Sequence, residues 1–137
     1  MKLHIFKVIP FLFIIFLLFN FCEMAQELPY YSDKNNYISA TGIVDYIKYS
    51  DDGLYLGFSD LDPKFSDSTF KIVGKNFKIV QENGIEEKLE IGDEVEFITA
   101  PRYFGDGYIV PIAGISVDGE VLLDFEQGYE NYIEWIG

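Results

Sequence analysis

Ser68 and Lys71 stand three residues apart, a spacing at which a lysine amine could take the proton of a serine hydroxyl if both lay on one helical face. Thr69 to Val73 alternates as a strand, however, and residues three apart on a strand project to opposite faces. Oxygen ligands for calcium could come from Asp60, Asp62 and Asp67, or from Asp51 and Asp52. No window supplies the alternate acidic positions, central glycine and closing glutamate of a calcium-binding helix–loop–helix, so solvated loop carboxylates are the expectation and no metal site is assigned. A glycosidase needs two carboxylates roughly 5–10 Å apart in a cleft. With so many acids in so short a chain, some pair meets that distance by chance.

One loop offers binding chemistry. Tyr103, Phe104 and Tyr108 surround Gly105-Asp106-Gly107 beside Arg102, the only arginine. Flat rings can stack on a sugar or peptide and a guanidinium can clamp a carboxylate. Arg102, Tyr103, Phe104 and Tyr108 are therefore the candidate ligand-binding residues. The competing reading has Phe104 and a tyrosine closing the end of the fold while Arg102 pairs with an acid.

What is missing excludes more. The only histidine is His4 and the only cysteine Cys22, both in an apolar N-terminal segment. Beyond it there is no imidazole base, thiolate, disulfide or Cys/His zinc site. The Ser-x-x-Lys spacing is similar to that of serine β-lactamases and penicillin-binding proteins, but their Ser-Asp-Asn and Lys-Thr-Gly elements are absent. No catalytic residue and no cofactor is expected. Removing residues 1–25 leaves 8 basic and 22 acidic residues, a net charge of −14 over 112 positions. Such a surface repels nucleic acid and anionic lipid, so a nucleic-acid partner is excluded and a basic peptide, protein or envelope polymer is favoured.

The N-terminal segment sets the compartment. A basic head with Lys2 and Lys7 precedes the run Val8 to Phe21, which is apolar except for Pro10 and Asn20, and Glu23 and Glu27 follow. This polarity directs export of what comes next. The fifteen residues from Val8 to Cys22 would rise about 22 Å as a helix, short of a bilayer core of roughly 30 Å, which favours a signal peptide over a span. Ala25 would be its last residue, although Glu23 occupies a position where a small neutral residue is wanted. Cys22 is a candidate lipidation site, but Phe21 stands where lipoprotein signals place a small residue. The expectation is a protein secreted, or attached to the outer face of the cytoplasmic membrane through residues 1–25, which are its only membrane contact.

Positioning falls to a β-rich body. Residues 26–36 carry Pro29, lack periodicity and read as a tether. Strands are expected at Tyr37–Tyr49, Leu54–Ser59, Thr69–Val73, Glu94–Ala100 and Tyr108–Val117. Gly42 suggests a bulge or tight bend in the first, with Ile43, Asp45, Ile47 and Tyr49 on one side and Val44, Tyr46 and Lys48 on the other. Asn76 should cap a helix over Phe77–Asn83 that Gly84 ends. Asp118-Gly119 predicts a hairpin to Glu120–Leu123. Asp124 should cap a last helix with Phe125, Tyr129, Tyr132 and Ile136 on one face, weakened by Gly128. Glu126, Glu130 and Glu134 form an acidic stripe on it whose repulsion needs an offsetting contact.

Three strands, a helix and two more strands is the order of the OB-fold, a small Greek-key barrel, which the stretch Tyr37–Val117 resembles. Leu89-Glu-Ile-Gly-Asp-Glu-Val-Glu-Phe97 is similar to the turn-into-strand of OB and SH3-like barrels. The expected fold is mainly β, an OB-like five-stranded barrel over 37–137 with a C-terminal hairpin strand and helix. The expected function is a non-catalytic binding or accessory module of the bacterial cell envelope. The alternatives are a carboxylate-only hydrolase and a structural envelope subunit whose edge strands pair with other chains.

Overall fold

Five strands pair in a ring. In the computed structural model, which describes residues 28–61, 65, 68–101 and 109–137, the strands are β1 (Ile38–Tyr49), β2 (Gly53–Ser59), β3 (Thr69–Val73), β4 (Glu94–Thr99), β5 (Ile109–Val117) and β6 (Glu120–Leu123). The sheet order is β3-β2-β1-β4-β5-β6, and a parallel β3–β5 pairing joins Thr69 to Ile109 and Lys71 to Pro111. All other pairings are antiparallel. Helices α1 (Lys75–Glu82) and α2 (Ile85–Lys88) lie between β3 and β4, and α3 (Phe125–Ile136) follows β6. The protein is thus mainly β, with a six-stranded sheet and short helices.

The long β1 makes the ring possible because it serves two neighbours in succession. Ile38 to Ile43 pair with β4, and Ile43 to Tyr49 pair with β2. The bulge expected at Gly42 falls instead at Asp45, between Val44 and Tyr46. An extra residue there shifts the side-chain alternation, so Val44 and Ile47 both pack into the core, contrary to the two sides read from strict alternation. Gly42 has another use: a β-carbon there would lie 2.8 Å from Leu61 and 2.9 Å from Phe58. The space it leaves admits Phe58, whose ring stacks on Phe97 at 4.5 Å while Phe70 meets Phe97 edge-on at 5.0 Å.

Two apolar clusters result. The first fills the ring with residues such as Leu54, Leu56, Phe70, Ile72 and Phe97, with Val80 of α1 and Ile85 of α2 packed among them. The second lies between the sheet and α3 and contains Tyr31, Tyr37, Val73, Ala100, Ala113 and Tyr132. Strand β5 is buried almost throughout because it faces both clusters, which accounts for its nearly unbroken apolar sequence.

The expected tether is, from Leu28 on, a packed arm running antiparallel to α3. Tyr31 is 3% exposed and meets Tyr132 edge-on at 5.2 Å. The Tyr129 hydroxyl donates to the Ser32 carbonyl at 2.5 Å, Lys34 pairs with Glu126 at 2.7 Å, and Tyr30 donates to the Pro101 carbonyl. Its tyrosines are spaced to fit a helix groove rather than to follow a period of their own, so periodicity did not reveal it.

Of three capping expectations, that for Asn76 changes, that for Asp124 holds in position only, and that for Gly84 holds. Helix α1 begins two residues earlier, after Gly74, and Asn76 lies inside it. Asn76 is 1% exposed, donates from Nδ2 to the Gly128 carbonyl at 2.8 Å and accepts from Asn131 at 3.0 Å. It ties α1 to α3. Asp124 takes the extended backbone of a cap without a capping bond from its side chain. Gly84 ends α1 as expected, at φ 82°, but the charged stretch after it forms α2.

Candidate functional site

The ring has two ends. Thr99 pairs with Ile38 and Ile112 at one; Val95 and Glu94 meet Val117, Gly42 and Ile43 at the other. Arg102, Tyr103, Phe104 and Tyr108 lie outside the described residues, as do Cys22, Asp62 and Asp67. The flanks of the predicted ligand loop, Pro101 and Ile109, sit at the first end, and Ile109 is 49% exposed.

The other predicted groups are described. Ser68 donates its backbone N–H to the Phe65 carbonyl at 3.0 Å. The Lys71 ammonium lies 5.0 Å from the ring centre of Trp135 and 5.8 Å from that of Tyr132, both on α3. Asp52 accepts from the Tyr55 hydroxyl at 3.4 Å, and Asp60 is an exposed residue at φ 58°. Among the described residues, no group of three or more His, Cys, Asp or Glu stands close enough to hold a metal ion. Every described aspartate and glutamate is exposed except Asp93, which is half-buried.

At the second end, Glu87, Lys88, Glu90, Asp93, Val117, Asp118 and Glu120 surround an open concavity of about 330 Å³. Three local structures bring them together. Helix α2 presents Glu87 and Lys88; the Glu90–Asp93 turn is held by the Glu90 N–H donating to Asp93 Oδ2 at 2.8 Å; and the β5–β6 hairpin presents Asp118 and Glu120. The turn is pinned to β1, since Val44 N–H donates to the Asp93 carbonyl at 2.9 Å and Gly92 N–H donates to the Val44 carbonyl at 2.7 Å. The Lys88 ammonium bonds Glu120 at 2.8 Å and the Asn83 carbonyl at 2.8 Å, so the one cation among the described rim residues is already engaged. The result is a rim of exposed carboxylates on a rigid base. Its chemistry is that of long-range attraction for positive charge, weakened by salt. A second, more apolar groove of about 190 Å³ runs past Ile98, Gly114, Val121 and Phe125 on the outer face of the sheet.

The stripe on α3 finds its offsetting contacts within the chain. Lys34 from the arm meets Glu126, and Lys75 from α1 meets Glu134 at 2.9 Å. The hydrogen bond to Glu126 holds the Lys34 ammonium above its ordinary range. Burial, and then the neighbouring Tyr129, Tyr31 and Tyr30, push the Tyr37 phenol far above its ordinary value of 10.0, while its hydroxyl donates to the Tyr31 carbonyl at 2.9 Å. Burial and Glu86 raise Tyr49, and burial and Asp52 raise Tyr55.

Sequence reasoning did not find the acidic concavity, whose parts come from 87–93 and 117–120. Charge density was its only sequence signal, and charge is spread along the whole chain. Comparison with known protein families, with curated proteins and with solved structures finds no match.

Proposed function

We propose that this protein is an exported, non-catalytic binding or accessory module of the bacterial cell envelope that draws a positively charged peptide, protein or polymer to its acidic end. The observation carrying this reading is the unequal placement of charge along the sheet. Around the concavity five carboxylates face a single lysine, whereas the acids along α3 are met by Lys34 and Lys75. The exposure of nearly all the described carboxylates favours binding over acid–base catalysis, which calls for a carboxyl desolvated in a pocket. The ring order β1-β2-β3-β5-β4, with α1 and α2 between β3 and β4, supports an OB-type barrel as its scaffold. The basic head, apolar run and following acids of residues 1–27 support export, either secreted or held at the outer face of the membrane.

Titration with a lysine-rich peptide tests the reading. Binding is expected to weaken about tenfold or more between low and physiological salt. Glu87→Gln, Glu90→Gln and Asp118→Asn together change only exposed side chains and should weaken it by on the order of tenfold. Unchanged affinity in that variant would overturn the assignment.

A further inference from the structure

We infer that the apolar groove past Ile98, Gly114 and Val121 seats one aliphatic side chain of the partner drawn to the acidic end, so that this partner is a basic amphipathic peptide segment. The inference rests on the reading that the acidic end attracts positive charge. It narrows the partner to a chain that carries an apolar side chain among its lysines.

The groove exists because the sheet is low where it runs. The register sets Ser39, Ile98 and Gly114 in one row across β1, β4 and β5, and Thr41, Glu96, Ser116 and Val121 in the next, which reaches β6. Gly114 has no side chain to raise the floor; a β-carbon there would lie 3.3 Å from Ile98. Ile98 and Phe125, both half-buried, form the sides. Val121 stands beside them 60% exposed, just after the tight β5–β6 turn. The space of about 190 Å³ exceeds the roughly 150 Å³ in which an apolar cavity admits benzene, so a branched side chain fits.

The groove adjoins the acidic concavity across a single strand. On the hairpin, Val117 and Glu120 are paired and line the concavity, while Ser116 and Val121 are paired and line the groove. Successive residues of a strand project to opposite faces about 3.4 Å apart along it. One peptide crossing the short β6 therefore reaches both, without adding a strand to the sheet.

Charge identifies the occupant. Exposed carboxylates flank the groove, Glu96 on β4 and Asp124 before α3, and no lysine or arginine is among the described residues lining it. Glu94, Glu96 and Ile98 alternate along β4, so acids lead from beside Asp93 of the concavity to the groove. Glu96 accepts from the Ser39 hydroxyl at 3.4 Å, and the Asp124 side chain makes no capping bond. An apolar seat between carboxylates suits a leucine or valine flanked by lysines. A second copy meeting this face about a two-fold axis would bring like charges together.

The test compares two fluorescent peptides with the same lysines, one carrying a central leucine and the other a serine in its place. Fluorescence anisotropy with the full chain should show the leucine peptide binding roughly fivefold tighter or more, and that ratio should persist at physiological salt because apolar burial is not screened. Val121→Ser, at an exposed position, should erase the preference while leaving the serine peptide's affinity and the melting curve unchanged. Glu96→Gln with Asp124→Asn should weaken both peptides by about threefold. Equal affinity of the two peptides for the unaltered protein overturns the groove assignment and leaves attraction to positive charge standing. Failure of both to bind at low salt overturns that attraction, and the groove assignment with it. A leucine preference that survives Val121→Ser puts the apolar contact elsewhere and overturns the groove.

Discussion

Gly128 lies so close to the carbonyl of Ala113 that a β-carbon on it would stand 1.8 Å from the oxygen. From sequence alone this glycine reads as a flaw in α3, worth up to about 1 kcal/mol against alanine. In the fold it is the point where α3 touches β5, and its own carbonyl accepts from Asn76. Gly128→Ala should therefore destabilise by about 3 kcal/mol, because the overlap is with backbone and cannot be relieved by a rotamer change. A urea midpoint that rises on this substitution would show that helix propensity dominates instead.

Asn76→Ala should cost about 1–2 kcal/mol by removing the bonds to Gly128 and Asn131 from a buried site. An exposed cap would behave differently: Asn76→Gly would then be nearly neutral, whereas the buried amide requires both substitutions to lower the midpoint.

The arm belongs to the folded unit. Tyr31→Ala empties a buried site against Tyr132 and should cost about 3 kcal/mol, lowering the melting temperature by about 10 °C. A tether predicts an unchanged melting curve.

Alkaline pH should weaken the fold through Tyr37. Its phenol keeps its proton in the folded protein to a higher pH than in the unfolded chain. The contribution is complete below the ordinary value near 10 and is lost as pH rises above it, because the unfolded chain then releases a proton the native state retains. Urea midpoints measured from pH 8 to 11 should decline in the upper part of that range. Tyr37→Phe should be less stable at pH 8, through the lost bond to Tyr31, and should decline less steeply.

The β5–β6 turn has Asp118 at φ 51° and Gly119 at φ 79°, the two left-handed residues of a tight hairpin. Gly119→Ala should cost about 1 kcal/mol. Asp118→Asn should leave stability within about 0.5 kcal/mol, since asparagine accepts that backbone equally well. Thermal melts of the two variants separate the effects.

The features legible in sequence were those written locally. Alternation marked β3 to the residue, and Asp118-Gly119 marked the hairpin and with it β6. Gly84 signalled the end of α1 through its left-handed backbone. The errors came where tertiary contact assigns a residue its work. Asn76 has the chemistry of a cap but is drawn inward by the carbonyl of Gly128. Gly42 was read as a bulge because a strand glycine often is one; here it clears room for Phe58, and the bulge occurs at Asp45. The tyrosines of the arm needed the groove of α3 to give them meaning. The predicted ligand residues 102–104 and 108 fall outside the described residues, whereas the acidic concavity depends on joining α2, a turn and a hairpin.

Closure of β3 onto β5 has a consequence for crowding. Among the described strands it leaves β6 paired on one side only, and β6 has four residues, a bulge at Leu122, and an amide from Asn83 bonded to the Leu122 carbonyl at 2.8 Å. A neighbouring molecule seeking to extend the sheet finds a short, bent and partly occupied margin. That margin is a poor template for the strand of another chain.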